Sequence, residues 1–545
     1  MRKARPVCLL FALCGGAFSW MLGGEPATPA NASQIAEQAR LEIQQGMFTV
    51  AETRVRAALA ALPLTADATA MNLWGELGYT LQAQGKLDEA VVCYGKSMAI
   101  GGNLEPPAPE SFALVLQNLG AVLERKNAYP EAAAVYTRAW SILAAAGLSE
   151  THAAGAVLRG VAVCALREGH PKDAAAAMDH ALAVVRKADG ADSSDYGGAL
   201  RDKALIELEA GRYQESLATA TEALAIQSRF PAADYERIGT LNNLGVASNM
   251  LGRIADAQTY FQQSVDLWRK TKGSIPAIAP SALHNLAVNE VTLGHPETAR
   301  ELEMEALAGI DANCGKHCFE RAVAVNALGT IALGSGQTRK ANALFNEASA
   351  LTAEFRGKDS PEYAFTLSNL ADVQLRLHHY REAAGLKDRA LAIARARFGE
   401  SHPIVASIEA GLGVDLYHLK HYDQAEALLR EAVSTEIESL GEANRQVAES
   451  MHDLAMVISA GKQPERATQY FSSAVRAMEA TAGGASDPRL VTWIREFAAT
   501  LRKQGRFVEA ENEEVHATRI EVQNAIRLER AAHQKNDLAF VIVRF

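Results

Sequence analysis

Aromatic residues are scarce, at 6% of the chain, and positive charge is in deficit: 54 Lys plus Arg stand against 64 Asp plus Glu, for a formal net charge of -10. Sheets draw on aromatic and β-branched residues, so the first shortage argues against an all-β or α/β chain. The second is the wrong sign for a groove that tracks phosphates, and nucleic acid is excluded as a first reading. Past Gly24 no long apolar run occurs, which argues against a polytopic membrane protein. The spacings that mark common chemistry are missing as well: no phosphate-binding glycine loop, no His-Glu-x-x-His, no nucleophile elbow, no kinase signature. What is present is an ordinary soluble balance of 48% apolar and 22% charged residues over 545 positions, rich in alanine. Alanine favours close-packed helices, so an all-α chain is expected.

Arg2, Lys3 and Arg5 precede an uncharged stretch from Val7 to Gly24, followed by Pro26, Pro29 and the small-residue triplet Ala30-Asn31-Ala32. This pattern predicts a secretory signal over residues 1–32, removed after Ala32, and a chain exported to the periplasm or beyond the cell. An uncleaved N-terminal anchor is the competing reading, because the apolar run approaches the length of a bilayer span. After cleavage no membrane insertion is expected.

The rest of the chain repeats. A small residue recurs at Ala39, Gly78, Gly120, Ala162, Ala204, Gly245, Ala287, Gly329, Ala371, Gly413, Ala455 and Ala498, mostly 42 residues apart. Twelve and nineteen places after each stand two more residues that are always Ala or Ser, such as Ala90 and Ser97, or Ala341 and Ala348. Antiparallel helices approach closely only where side chains are little more than a methyl group, so each unit reads as a helix pair crossing at these positions, one small residue facing two. Seven places after the first small residue come Gly46, Gly85, Asn127, Gly169, Gly211, Gly252, Gly294, Gly336 and Gly505, replaced by His378, Lys420 and Lys462 in three units. Glycine and asparagine suit the left-handed turn that ends a helix.

Trp74, Leu77, Gly78, Gly85, Ala90 and Tyr94 resemble the tetratricopeptide repeat, with Leu81 where that pattern prefers Tyr. The common repeat is about 34 residues long. The longer spacing here is similar to that of kinesin light chains, whose linker the segment Phe398-Gly399-Glu400-Ser401-His402-Pro403 also resembles. The resemblance implies a right-handed α-solenoid of about twelve helix-turn-helix repeats over residues 33–520, with residues 521–545 forming a capping helix and a tail. It also implies a concave wall of first helices that grips extended peptides of other proteins. Asn118, Asn243, Asn285 and Asn369, two places before the first small residue, together with Asn242 and Asn326 one place earlier, resemble the asparagine ladder of that wall. Gly160, Ala327 and Gly411 break the ladder. Amides that bridge neighbouring helices are the alternative for these residues, since an amide both donates and accepts.

His170, His295, His379 and His421 recur one place after the turn position. Lys86, Arg212 and Gln337 stand there in other units, so a solvated turn is expected and not a metal site. Cys93 and Cys164 fall beside packing positions and read as apolar core. Cys314 and Cys318 bracket Gly315-Lys316-His317 between two units, where an exported chain would close them as a disulfide. A reactive or metal-binding thiol pair, or an enzyme with an unrecognised site, are the rivals to the leading reading. That reading is a non-catalytic interaction scaffold of the cell envelope, with no cofactor and with proteins or peptides as partners.

Overall fold

The computed structural model describes residues 32–61, 67–104, 107–126, 128–230, 234–270, 279–481 and 484–542; all but the last residue of the expected signal segment 1–32, and the turn position Asn127, lie outside the described residues. Among the described residues there are twenty-four α-helices and no strand, in two compact units that divide after Ala191. The first unit holds four antiparallel pairs: α1 (Ala32–Gln44) with α2 (Phe48–Ala61), α3 (Ala68–Ala83) with α4 (Leu87–Gly101), α5 (Pro109–Arg125) with α6 (Tyr129–Ala145), and α7 (His152–Arg167) with α8 (Pro171–Ala188).

The second unit holds eight. They are α9 (Ser194–Glu209) with α10 (Tyr213–Gln227), α11 (Asp234–Met250) with α12 (Ile254–Lys270), α13 (Ala279–Thr292) with α14 (Pro296–Cys314), and α15 (Phe319–Gly334) with α16 (Thr338–Phe355). Then follow α17 (Pro361–Arg376) with α18 (Tyr380–Phe398), α19 (Pro403–His418) with α20 (Tyr422–Leu440), α21 (Arg445–Ala460) with α22 (Pro464–Ala480), and α23 (Pro488–Lys503) with α24 (Phe507–Ile542). Within each unit, successive pairs pack on one another, so each is an all-α solenoid.

Local chemistry sets the helix ends. Ser360 caps α17 by accepting from the Tyr363 N–H, and Pro361 fills the first helical place, where a missing N–H costs nothing. Between paired helices the chain turns through the left-handed region at the expected positions. Three of these carry no glycine: His378, Lys420 and Lys462 take φ of 63°, 64° and 63°. The closing hydrogen bonds explain why the penalty is tolerated. His378 N–H donates to the Leu375 carbonyl and His379 N–H to Gln374, at 3.0 and 2.9 Å, satisfying carbonyls the helix end would otherwise orphan.

The helix crossing differs from the expected one in what the small residue faces. A Cβ placed on Gly329 would lie 2.6 Å from the ring of Phe345, and on Gly245 it would lie 2.4 Å from Phe261. Gly78 and Gly120 meet Tyr94 and Tyr136 in the same way. The first-helix glycine therefore makes room for a large ring sixteen residues on. Ala341 and Ala348, both fully buried, lie one turn to either side of Phe345 and let that ring sit down on the first helix.

The second unit curls until it meets itself. His402, the N-cap of α19, accepts from the Ile404 N–H through Nδ1 and donates from Nε2 to the Glu209 carbonyl at 2.8 Å. Asn444, the N-cap of α21, accepts from the Gln446 N–H and donates to the Met250 carbonyl at 2.8 Å. Five pairs thus complete one superhelical turn, and the hairpin turns after α9 and α11 dock on the starts of α19 and α21. Gly211 is required twice: its φ is 74°, and a Cβ there would lie 2.7 Å from the Pro403 ring. Burial holds the His402 imidazole below its ordinary pKa, in keeping with a neutral ring that must accept at Nδ1 and donate at Nε2.

At the C-terminus α24 runs unbroken through Asn536 and Asp537, within the segment 521–545 expected to hold a capping helix and a tail. No glycine or proline occurs between Phe507 and Ile542, so nothing in the backbone chemistry stops the helix there.

Candidate functional site

The inner wall of the second unit is built from α15, α17 and α19 lying side by side. Helical spacing brings Phe319, Val323 and Asn326 onto one stripe of α15, Phe365, Asn369 and Asp372 onto one stripe of α17, and Ile404 and Ser407 onto α19. The superhelical closure supplies the opposite side through Tyr213, Met250 and Gln446. Together they line a half-open cavity of about 560 Å³.

Asn326 and Asn369 are brought together there. The Asn369 amide donates to Asn326 Oδ1 at 2.9 Å, which leaves the Asn369 oxygen and the Asn326 N–H₂ for other partners. The other ladder residues lie elsewhere. Asn243 donates to the Arg201 carbonyl at 3.2 Å, the bridging role, and Asn242 accepts from Ser264 Oγ within its own pair. Asn285 is half-buried on α13, and Asn118 is half-buried on α5 of the first unit. Two apolar side chains face the cavity while remaining well exposed, Val323 at 39% and Phe365 at 40%. Both lie six places before the small residue of their helix, where Ser407 and Glu449 stand in later units. An exposed apolar residue, Leu114, stands in the same register of the first unit, so the sequence alone did not mark this site.

Behind the wall lies buried charge. Lys387, 3% exposed, stands where other pairs carry the crossing ring and reaches past Gly411, whose absent Cβ would lie 2.7 Å from Lys387 Cε. Its ammonium donates to Asp372 at 2.7 Å and to Ser368 at 3.2 Å, fixing the Asp372 carboxylate at the cavity edge. Asp415, fully buried on α19, has no hydrogen-bond partner on either oxygen, and burial pushes its carboxyl up to about 7 against the pull of Lys387. Glu436 is likewise buried and pushed up to about 7, though Gln446 donates to it from the cavity wall.

The expected chemistry of the remaining marked residues is plain. Glu400, Glu409 and Glu431 converge within 4.8 Å, and the Arg395 guanidinium bonds two of them, Glu409 at 2.7 Å and Glu400 at 2.9 Å. A cation already built into the chain thus pairs with two of the three carboxylates. Two of the turn histidines are spent locally: His379 pairs with Gln374 and His295 with Glu290. Cys93 and Cys164 are buried free thiols. Cys318 is disulfide-bonded; the side chain of Cys314 lies outside the described residues, and their pairing stays an expectation.

Residues 236–311, 320–396 and 404–480 match the tetratricopeptide repeat model. The chain contains tetratricopeptide repeats. Each matched stretch covers two helix pairs, and the inner wall is made of the first helices of these repeats. Among solved structures, the chain is similar to BtubC from P. vanneervenii, at 21% identity over 42% of this chain and 91% of that one, with a TM-score of 0.35. It is similar to a Podosopora anserina putative kinesin light chain with TPR-like repeats at 20% identity, covering 37% of this chain and 96% of that one, with a TM-score of 0.33. A chain of the APC/C hetero-tetramer Cut9-Hcn1 matches at 14% identity over 89% of this chain and 99% of that one, with a TM-score of 0.36. No curated protein matches the chain.

Proposed function

We propose that this protein is a non-catalytic interaction scaffold, and that the inner wall of its second unit holds an extended segment of a partner protein. The observation that carries the reading is the meeting of Asn326 and Asn369 beside the exposed Val323 and Phe365 around one cavity. Paired amides suit a peptide backbone, whose donors and acceptors alternate, and the apolar pair suits one anchoring side chain. Asp372, already paired with Lys387, adds an acceptor at the rim. Nothing in this arrangement combines a nucleophile, a base and a stabilising donor, so the wall is read as a grip and not as a catalytic centre.

Phe365→Ser is the sharpest probe, because the side chain is already exposed and its loss should leave the fold intact. Binding to a peptide selected on the wild-type chain is expected to weaken about tenfold, the equivalent of about 1.4 kcal/mol, with the thermal midpoint nearly unchanged. Titration calorimetry reads this directly, and undiminished binding would remove the wall from the account.

The scaffold is further proposed to act outside the cytoplasm, on the strength of the basic start, the apolar stretch and the Ala30-Asn31-Ala32 triplet. Among the described residues no helix is long and apolar enough to cross a membrane. N-terminal sequencing of the chain made in its own cells is expected to begin at Ser33; a start at residue 1 or 2 in a membrane fraction would point to the anchor.

A further inference from the structure

The last helix carries an apolar stripe that the solenoid does not use. On α24, Phe507 is 67% exposed, Val508 76%, Val515 55% and Val522 53%. The three valines fall seven residues apart, the repeat that keeps one seam of a helix facing a partner helix. The stripe is not merely the end of the stack. Positions equivalent to Val508 in other pairs hold Asp88, Lys172, Glu297, Arg381, Asp423 and Glu465, solvated residues even where another pair packs next in line. The final pair alone places valine there. A shallow groove lined by Phe507, Glu511, Val515, Thr518, Arg519 and Val522 follows the same line.

The charges along the stripe identify what fits it. Glu514 is paired with Arg502 and Glu521 with Arg495, but Glu511 and Arg519 make no ion pair among the described residues. They lie four residues to either side of Val515, one acidic and one basic. If a second α24 is laid antiparallel with Val515 against Val515, then Val508 meets the partner's Val522 and Glu511 meets the partner's Arg519, each twice. A surface with this symmetry is complementary to itself, as a two-fold interface requires. We infer that α24 pairs antiparallel with α24 of a second copy of this chain, centred on Val515 and locked by the Glu511–Arg519 pairs.

Light scattering coupled to size exclusion on the full chain is the test. The wild type is expected to be a dimer. Val515→Asp puts two carboxylates on the two-fold axis and is expected to give a monomer with unchanged helical circular dichroism. Glu511→Arg and Arg519→Glu each set like charges against each other and should weaken the dimer, whereas the two changes together restore the pairing and should restore the dimer. A wild type that stays monomeric at its highest soluble concentration overturns the inference. So does a dimer that survives Val515→Asp, or a double charge swap that stays as weak as either single change. A monomeric wild type would leave the stripe to a different protein.

Discussion

Gly329→Leu is expected to unfold the middle of the second unit, while Gln337→Leu, only eight residues on, is expected to be tolerated. Even a bare Cβ at position 329 would lie 2.6 Å from the Phe345 ring, inside any ordinary contact distance. The ring cannot retreat, because Phe345 is 1% exposed and packed with Leu370 and Val373 of the next pair. Overpacking of this kind costs about 1 to 3 kcal/mol, and more where the backbone must move. Gln337 is exposed on the turn, so its change should fall within about 0.5 kcal/mol. Ala341→Leu should behave like the glycine change, since Ala341 is fully buried beside the same ring.

The pairing is tested by rescue. Phe345→Ala alone should cost about 3 to 5 kcal/mol. Combined with Gly329→Leu, it should cost clearly less than the sum, because each change creates the space or the volume the other lacks. The crossing of α15 and α16 packs on the adjoining helix pairs, so hydrogen exchange should show the lost protection around α15 to α18 and spare the ends. Simple additivity of the two changes would mean that the glycine and the ring do not meet.

Asp415→Asn is expected to stabilise the protein in mild alkali and to do nothing in acid. The folded-state carboxyl is raised from 3.8 to about 7, chiefly by burial, with neither oxygen hydrogen-bonded. A raised carboxyl contributes fully below its unfolded value, and that contribution is lost as pH climbs through about 7. Between those limits lie about three units at about 1.4 kcal/mol each, so the cost by pH 8 is on the order of 4 kcal/mol. Asparagine keeps the shape and cannot ionise. Urea unfolding should place the variant above the wild type at pH 8 and level with it near pH 4. If the variant is instead weaker at pH 8, Asp415 is an ionised partner of Lys387 and the burial argument is reversed.

The helix frame was legible in the sequence because it rests on local rules. Small residues recur where helices cross, and the turn position was readable even at His378, Lys420 and Lys462, where the glycine is missing but the left-handed backbone remains. The ring in each crossing was less visible. Glycine goes with a ring sixteen places on at Gly78, Gly120, Gly245 and Gly329, whereas Ala162, Ala204 and Ala371 are followed by Met178, Ala220 and Lys387. Gly413, which meets Leu429, and Ala455, sixteen places before Phe471, both depart from this rule.

The candidate site was legible only in part. Asn326 and Asn369 were marked by their register, but their meeting depends on how adjacent pairs rotate, which also turned Asn243 to the Arg201 carbonyl. The closure of the turn had no local signature at all. His402 and Asn444 cap their helices in the structure, and their second bonds reach residues almost five repeats away, set by rotation summed over every intervening pair. Val323 and Phe365 carried no distinguishing mark, since Leu114 stands in the same register, and became meaningful only once the wall and its cavity were in view.

Photo-crosslinking from the inner wall tests the central claim most directly. Phe365 and, separately, Asp388 on the outer helix α18 would be replaced by benzoylphenylalanine, and each chain irradiated with a peptide selected from a random display library on the wild-type protein. Asp388 is exposed and lies on the second helix of the same pair, so it reports capture outside the wall. The account predicts a crosslink from position 365 and none from position 388. A crosslink from 388 without one from 365 would contradict it.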